Sequence, residues 1–213
     1  MKTDDLIAML ASGADVRVAA RPVRATALPL AGAMLVSVLL MLLLLGMRAD
    51  LAQELVMPAF WMKVVFSAGL AGAAWLAVRR LSMPGARVAA LPWWLAAPVL
   101  AMWCVAGWTL LAAAPEERAG LFWGATWRYC PVLIAVLALP LLAAALRVMR
   151  SLAPTRLRLA GAAAGLASGA MAALVYCLHC PELSAVFVGF WYLMGMLIPT
   201  ALGALLGPRV LAW

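Results

Sequence analysis

The chain has 213 residues, of which 68% are apolar and 11% charged, with a mean hydropathy of +1.07 and a formal net charge of +8. A globular domain carries about 25% charged residues, so an ordinary soluble fold is excluded. The positive charge is spread between apolar blocks, a distribution that sets membrane topology, and direct nucleic-acid binding is not expected.

The N-terminal stretch "MKTDDLIAMLASGADV" predicts a short amphipathic helix. Thr3 is a suitable N-cap, and Asp4 and Asp5 fall in the first turn, where the helix dipole favours negative charge. Leu6, Ile7 and Leu10 share one apolar stripe with Met9 at its edge, and Ser12-Gly13 supplies a stop. Helices that lie on lipid usually carry Lys and Arg on the polar face. Two aspartates there point instead to docking in a groove of a soluble protein.

Six apolar blocks follow, at about 27–47, 58–78, 91–113, 129–147, 159–178 and 187–206. Each has about 20 residues, enough to cross a hydrocarbon core roughly 30 Å thick as a helix. Their Leu and Ala runs lack the alternation of a membrane barrel. The expected fold is therefore all-α: a polytopic membrane protein with six transmembrane helices. A cytoplasmic segment over 1–25 precedes a transmembrane domain over 26–213. The first block begins too late and runs too long for a cleaved signal peptide.

Orientation follows from the basic residues. Lys2, Arg17, Arg21, Arg24, Arg79, Arg80, Arg87, Arg147, Arg150, Arg156, Arg158 and Arg209 lie in one alternate set of loops and tails. The other set holds only Arg48, Arg118 and Arg128. Positive charge marks the cytoplasmic side, so both termini are expected there, in a bacterial inner membrane. Lys63, inside the second span but near its outer end, is expected to snorkel to the interface. Trp61, Trp93, Trp94, Trp123, Trp127, Trp191 and Tyr192 read as aromatic belts.

Within the spans, Gly161, Gly165 and Gly169 form a small-residue ridge, with Gly195, Gly203 and Gly207 in a similar role on span six. None of the eight acidic residues falls at mid-membrane, against the pattern of a coupled transporter. There is no phosphate-binding glycine loop, no zinc-site spacing, and no nucleophile in a matching context for the single histidine. An enzyme is not expected, nor is a resident cofactor.

The four cysteines carry the remaining chemistry. Cys104, inside span three, reads as a small packing residue, and Cys177 falls in the last turn of span five. Cys130 in "WRYCP" and Cys180 in "HCPE" both fall at the outer surface, within reach of water, each followed by a proline that redirects the chain and exposes the sulfur. Such a pair can bridge, or bind a thiophilic metal transiently with help from His179. Cys177 competes for the role, but a disulfide across one helical turn is often strained, which favours Cys130 with Cys180.

The segments "MKTDDLIAMLA", "FWMK" at 60–63, "WRYC" at 127–130, "APTR" at 153–156, "HCPE" at 179–182, "WY" at 191–192 and the ending "GALLGPRVLAW" together resemble the NrsF family, whose name means negative regulator of sigma F. The resemblance runs along essentially the whole chain. It implies a membrane-bound anti-sigma factor that holds an extracytoplasmic-function sigma factor and releases it under stress. It further implies sigma capture by the segment of Asp4, Asp5, Leu6 and Ile7, and heavy-metal or redox sensing by Cys130 and Cys180. Leu10 extends the apolar face of that segment. Two alternatives remain on the residues alone. One is a thiol oxidoreductase passing electrons from Cys177-x-x-Cys180 to a quinone. The other is a thiol-based heavy-metal carrier with Cys104 as relay ligand.

Overall fold

The computed structural model describes residues 3–12, 23–83 and 89–212, and among them every regular element is helical. Helix α1 (Thr3–Ser12) carries Asp4 and Asp5 in its first turn, both exposed, as is Ile7. The side chains of Leu6, Met9 and Leu10 lie outside the described residues, as do Lys2, Gly13, Arg17, Arg21 and Arg87.

Six helical segments are long and apolar enough to cross a membrane. They are α2 (Val23–Leu44), α4 (Pro58–Leu81), α5 (Leu91–Ala112), α7 (Cys130–Arg150), α8 (Leu157–Tyr176) and a continuous last segment from Ala185 to Val210. That last segment runs through α9 (Ala185–Phe187), a π-helical stretch (Val188–Tyr192) and α10 (Leu193–Val210). Two short helices that hydropathy did not anticipate, α3 (Leu51–Glu54) and α6 (Pro115–Trp123), sit between the spans. Prolines open α4, α5, α6 and α7 at the first or second position, where a missing N–H costs nothing. Gly46, at φ +75°, ends α2 with its amide on the Met41 carbonyl at 3.0 Å.

Helix α8 is the hub, packed against α4, α7 and most intimately α10. Its glycine ridge is the reason. A Cβ at Gly165 would fall on the Pro199 carbonyl, and one at Gly161 on the Gly203 carbonyl, so the two backbones touch as the sequence led us to expect. Gly195 instead admits Ile134 and Pro131 of α7. Helices α2 and α5 are peripheral. Helix α2 leans on α7, where Ser37 Oγ donates to the Leu137 carbonyl at 2.9 Å, and α5 lies against α4 and α9. Cys104 points outward from α5 and is exposed, so the expected packing role is not what the fold gives it.

The bundle has one basic end. Arg79 and Arg80 end α4, Arg147 and Arg150 end α7, and Arg209 ends α10, each favourably placed at a C-terminal dipole. Arg24, Arg156 and Arg158 lie at the starts of α2 and α8, completing a basic end. The opposite end holds α3, α6, Cys130 and the loop after α8.

Candidate thiol site

The site forms where α7 begins and α8 ends. Past Tyr176 the chain keeps turning, with the Cys177 amide on Ala173 O at 2.9 Å and the amides of His179 and Cys180 both on Tyr176 O at 3.0 Å. This turn swings Cys180 back over the bundle onto Cys130, the first residue of α7. The two thiols lie within hydrogen-bonding reach of each other, with the Tyr176 phenol beside both and Tyr192 beside Cys180. Sequence separation of fifty residues is thus closed by the fold. Both sulfurs are fully buried, in contrast to the water-accessible position expected from the outer loops. The prolines explain this: Pro131 starts α7 rather than ending a helix, and Pro181 turns the chain only after Cys180 is covered.

Cys177 is also buried, but it faces Ser67 and Tyr192. His179 does not join the sulfurs. Its Nδ1 lies 3.0 Å from the Gly46 carbonyl, and its ring packs on Tyr176. Tyr192, read from sequence as part of an aromatic belt, is completely buried against the thiols.

Lys63 is the largest departure from expectation. It is 0% exposed and does not snorkel. Its Nζ donates to the carbonyl of Cys180 at 2.8 Å and to that of Glu182 at 3.4 Å, 3.7 Å from the Glu54 carboxylate and above the Phe60 ring. A buried ammonium needs this much compensation, because desolvating it alone costs several kcal/mol, roughly. Arg48 shares Glu54, is held by Asp50 (Nε to Oδ1, 2.8 Å), and reaches the Cys180 carbonyl at 3.3 Å. The Cys180 carbonyl therefore binds two cations, Arg48 of the α2–α4 connection and Lys63 of α4, and His179 ties the same turn to Gly46 of that connection.

A second connection closes from the other side. Glu182 Oε1 accepts from the amides of Ala125 (2.7 Å) and Thr126 (3.2 Å) and from Thr126 Oγ1 (3.3 Å). Gly124, at φ +54°, lets the loop pass directly over that carboxylate, and a Cβ there would strike it. Ser184 Oγ donates to Leu121 O at 2.9 Å and Trp191 Nε1 to Phe122 O at 2.8 Å. The loop leading into Cys130 is thereby clasped to the loop carrying Cys180.

The surroundings set the thiols apart. The hydrogen bond from Cys130, opposed by burial and helped by Tyr192 and the Lys63 charge, holds the Cys180 thiol below its ordinary range. Burial pushes Cys177 up to about 12. Arg48 holds the exposed Asp50 carboxyl below its usual value. Two adjacent sulfurs can lose two protons and two electrons to form a disulfide, or lose the protons alone and ligate a soft cation. No group of three or more His, Cys, Asp or Glu among the described residues is arranged as a metal-binding set, so a four-ligand zinc site does not fit. The thiol pair fits only a low-coordinate thiophilic ion.

Comparison with known proteins gives a consistent picture. Residues 10–213 match the family model NrsF, negative regulator of sigma F. The chain is 54% identical to the probable anti-sigma-F factor NrsF of Azospira oryzae and 40% identical to the anti-sigma-F factor NrsF of Caulobacter vibrioides, each alignment covering 100% of both chains. No solved structure matches.

Proposed function

The chain belongs to the NrsF family, the negative regulators of sigma F, and on that premise we propose a membrane-bound anti-sigma factor whose buried thiol pair controls release of its sigma factor. The family is regulatory rather than enzymatic. In this reading the six spans lie in the bacterial inner membrane, with the basic end in the cytoplasm and the thiol end outside. Helix α1 holds an extracytoplasmic-function sigma factor through Asp4, Asp5 and the apolar stripe of Leu6, Ile7 and Leu10.

One observation carries the proposal: the Cys180 turn is bonded to both flanking connections, so a change at the sulfurs cannot stay local. Oxidation removes one hydrogen from each thiol, makes the S–S bond and passes two electrons to an incoming two-electron oxidant of the stressed periplasm. Soft-cation binding expels the same two protons without electron transfer. Either event draws Cys130 and Cys180 into new positions. Arg48, Lys63 and His179 pass that movement to the connection between α2 and α4. Helix α2 is the next helix after α1 in chain order among the described residues, so the output element is one helix from the sensor.

The signal shifts sigma binding only by its differential affinity for the two arrangements. A 100-fold loss of sigma affinity needs about 2.7 kcal/mol. The test is co-purification of sigma factor with the full chain in mild detergent. Asp4→Ala/Asp5→Ala should lose capture, whereas Cys130→Ser should keep capture but fail to release on treatment with an oxidant or a thiophilic ion. Undiminished capture by the aspartate variant, or release from the cysteine variant, would refute the assignment. The thiol oxidoreductase alternative draws no support from the site, because the thiol within hydrogen-bonding reach of Cys180 is that of Cys130, whereas Cys177 turns to Ser67 and Tyr192.

A further inference from the structure

A cavity of about 680 Å³ lies between α2, α4, α7 and α8, on the side of α2 turned away from the thiols' clasp. It exists because α2 leans on α7 and α8 and leaves a gap on its α4 side. The volume is typical of a pocket that takes a small-molecule ligand, about 300–1,000 Å³. Its polarity is graded along its length. Leu141, Ala167 and Met171 line it toward the middle of the bundle, with Trp75 and Val148 as further apolar walls. Thr26, Arg79 and Ser82 line the part at the basic end. Ser82 Oγ is engaged by its own helix at Val78 O, 2.7 Å away. Arg79 is exposed and has no hydrogen bond or ion pair among the described residues. A cation with no counter-charge among the described residues thus stands at the mouth of a greasy slot between membrane-spanning helices.

We propose that this cavity is a binding site for one anionic phospholipid, its acyl chain between α2 and α4 and its phosphate on Arg79. Basic pockets between transmembrane helices are suited to acidic headgroups, and an acyl chain supplies the apolar contacts that α4 does not give α2. The inference rests on the membrane reading above, but not on sigma capture or thiol sensing. The bound lipid acts as a wedge beside α2, the helix that carries α1.

The experiment uses the full chain reconstituted with equal phosphatidylglycerol and phosphatidylcholine of matched chains. It is then transferred to mild detergent, and native mass spectrometry reads the retained lipid. The wild type should keep one phosphatidylglycerol. Arg79→Gln should lower the preference for it over phosphatidylcholine about fivefold, the effect of one basic residue at a membrane surface. Ala145→Trp, which fills the apolar wall, should abolish retention of both lipids, with helix content by circular dichroism confirming that each variant folds. Equal retention of the two lipids by the wild type would overturn the proposal, as would retention unchanged in both variants. So would a lipid-free wild type in which a photo-crosslinker at Val148 reaches α1 or another chain. Resistance of the chain to alkaline extraction from membranes tests the underlying membrane reading separately.

Discussion

Glu182 is expected to set how often Cys130 and Cys180 meet, and its removal can be given a size. All three of its bonds fall on one oxygen, Oε1, at 2.7, 3.2 and 3.3 Å. Hydrogen bonds to a charged group contribute about 1.5–3 kcal/mol each when buried. Here the Ala125 amide is exposed and Thr126 only half-buried, so water replaces much of what is lost. A net cost of about 2 kcal/mol for Glu182→Ala follows, which makes arrangements with the two loops apart about 30-fold more populated. Glu182→Gln keeps a carbonyl oxygen for the same donors and loses only the charge, about half of the energy, so about fivefold. The assay is the equilibrium of the Cys130–Cys180 disulfide against a glutathione buffer, in a Cys104→Ser/Cys177→Ser background in detergent. Its constant reports the effective concentration of one thiol at the other. An effective concentration unchanged in Glu182→Ala would refute the clasp, and equal effects of Ala and Gln would refute the role of its charge.

Other substitutions test the remaining parts. Lys63→Met should destabilise the chain by about 3 kcal/mol, because it takes the cation from the buried Oε2 of Glu54 and from the Glu182 carbonyl and leaves the Cys180 carbonyl to Arg48 alone, and Glu54→Gln on top should restore part of the loss; thermal unfolding in detergent reads both. Gly165→Leu should prevent stable packing of α8 on α10, whereas Gly72→Ala, with nothing near its added Cβ, should leave the melting temperature unchanged. Cys180 should react with a small thiol reagent well before Cys177 at neutral pH, as mass-mapped labelling can show. With its pKa depressed, Cys180 is a thiolate down to a lower pH, and its advantage should fade only as pH drops through that depressed value; Cys177, pushed up to about 12, stays protonated throughout.

The six spans were legible because hydrophobic length is a one-dimensional property, and the glycine ridge because a spacing of four residues is. The thiol site was legible only in part. Sequence brought Cys130 and Cys180 to one end of the bundle, but not their burial, since no periodicity announces the ties of Arg48, Lys63 and Ala125–Thr126 that draw the Cys180 loop down. Lys63 was misread for a related reason. A lone cation near a span edge ordinarily reaches for water, and its actual partners are main-chain carbonyls 117 and 119 residues away, which leave no residue-type signature. In the sequence, Glu54 and Glu182 are simply two of the eight acidic residues that avoid mid-membrane. The available signal for Glu182 was its place two residues after Cys180 in an otherwise charge-poor chain; Glu54 lies in a connection that has no cysteine. The π-helical turn at Val188–Tyr192 was invisible, although it aims Tyr192 inward and leaves Gly189 O for Trp103 Nε1 at 3.0 Å.

On the proposed function, the distribution of contacts makes α2 the element suited to move. Its central window is only 11% buried, against 67% for α8, so displacing it sacrifices little apolar packing. Its polar ties to the rest of the bundle include Ser37 on Leu137 O at mid-helix, then, just past its end, Arg48 and the Gly46 carbonyl on the Cys180 turn. A neutral hydrogen bond contributes about 1 kcal/mol net and a charged one somewhat more. Losing two of these ties therefore matches the roughly 2.7 kcal/mol that a 100-fold change in sigma affinity demands. The rigid α8–α10 pair cannot serve that purpose, because its backbones are already in contact and any rotation drives glycine against carbonyl. On the proposed reading, a thiol signal that acts through Arg48 and His179 is matched in energy to α2, which of the two loosely held helices, α2 and α5, is the one tied to the Cys180 turn. Replacing Arg48 by Met should weaken the coupling, so that oxidation of the cysteines proceeds but sigma release, measured on the same sample, does not follow.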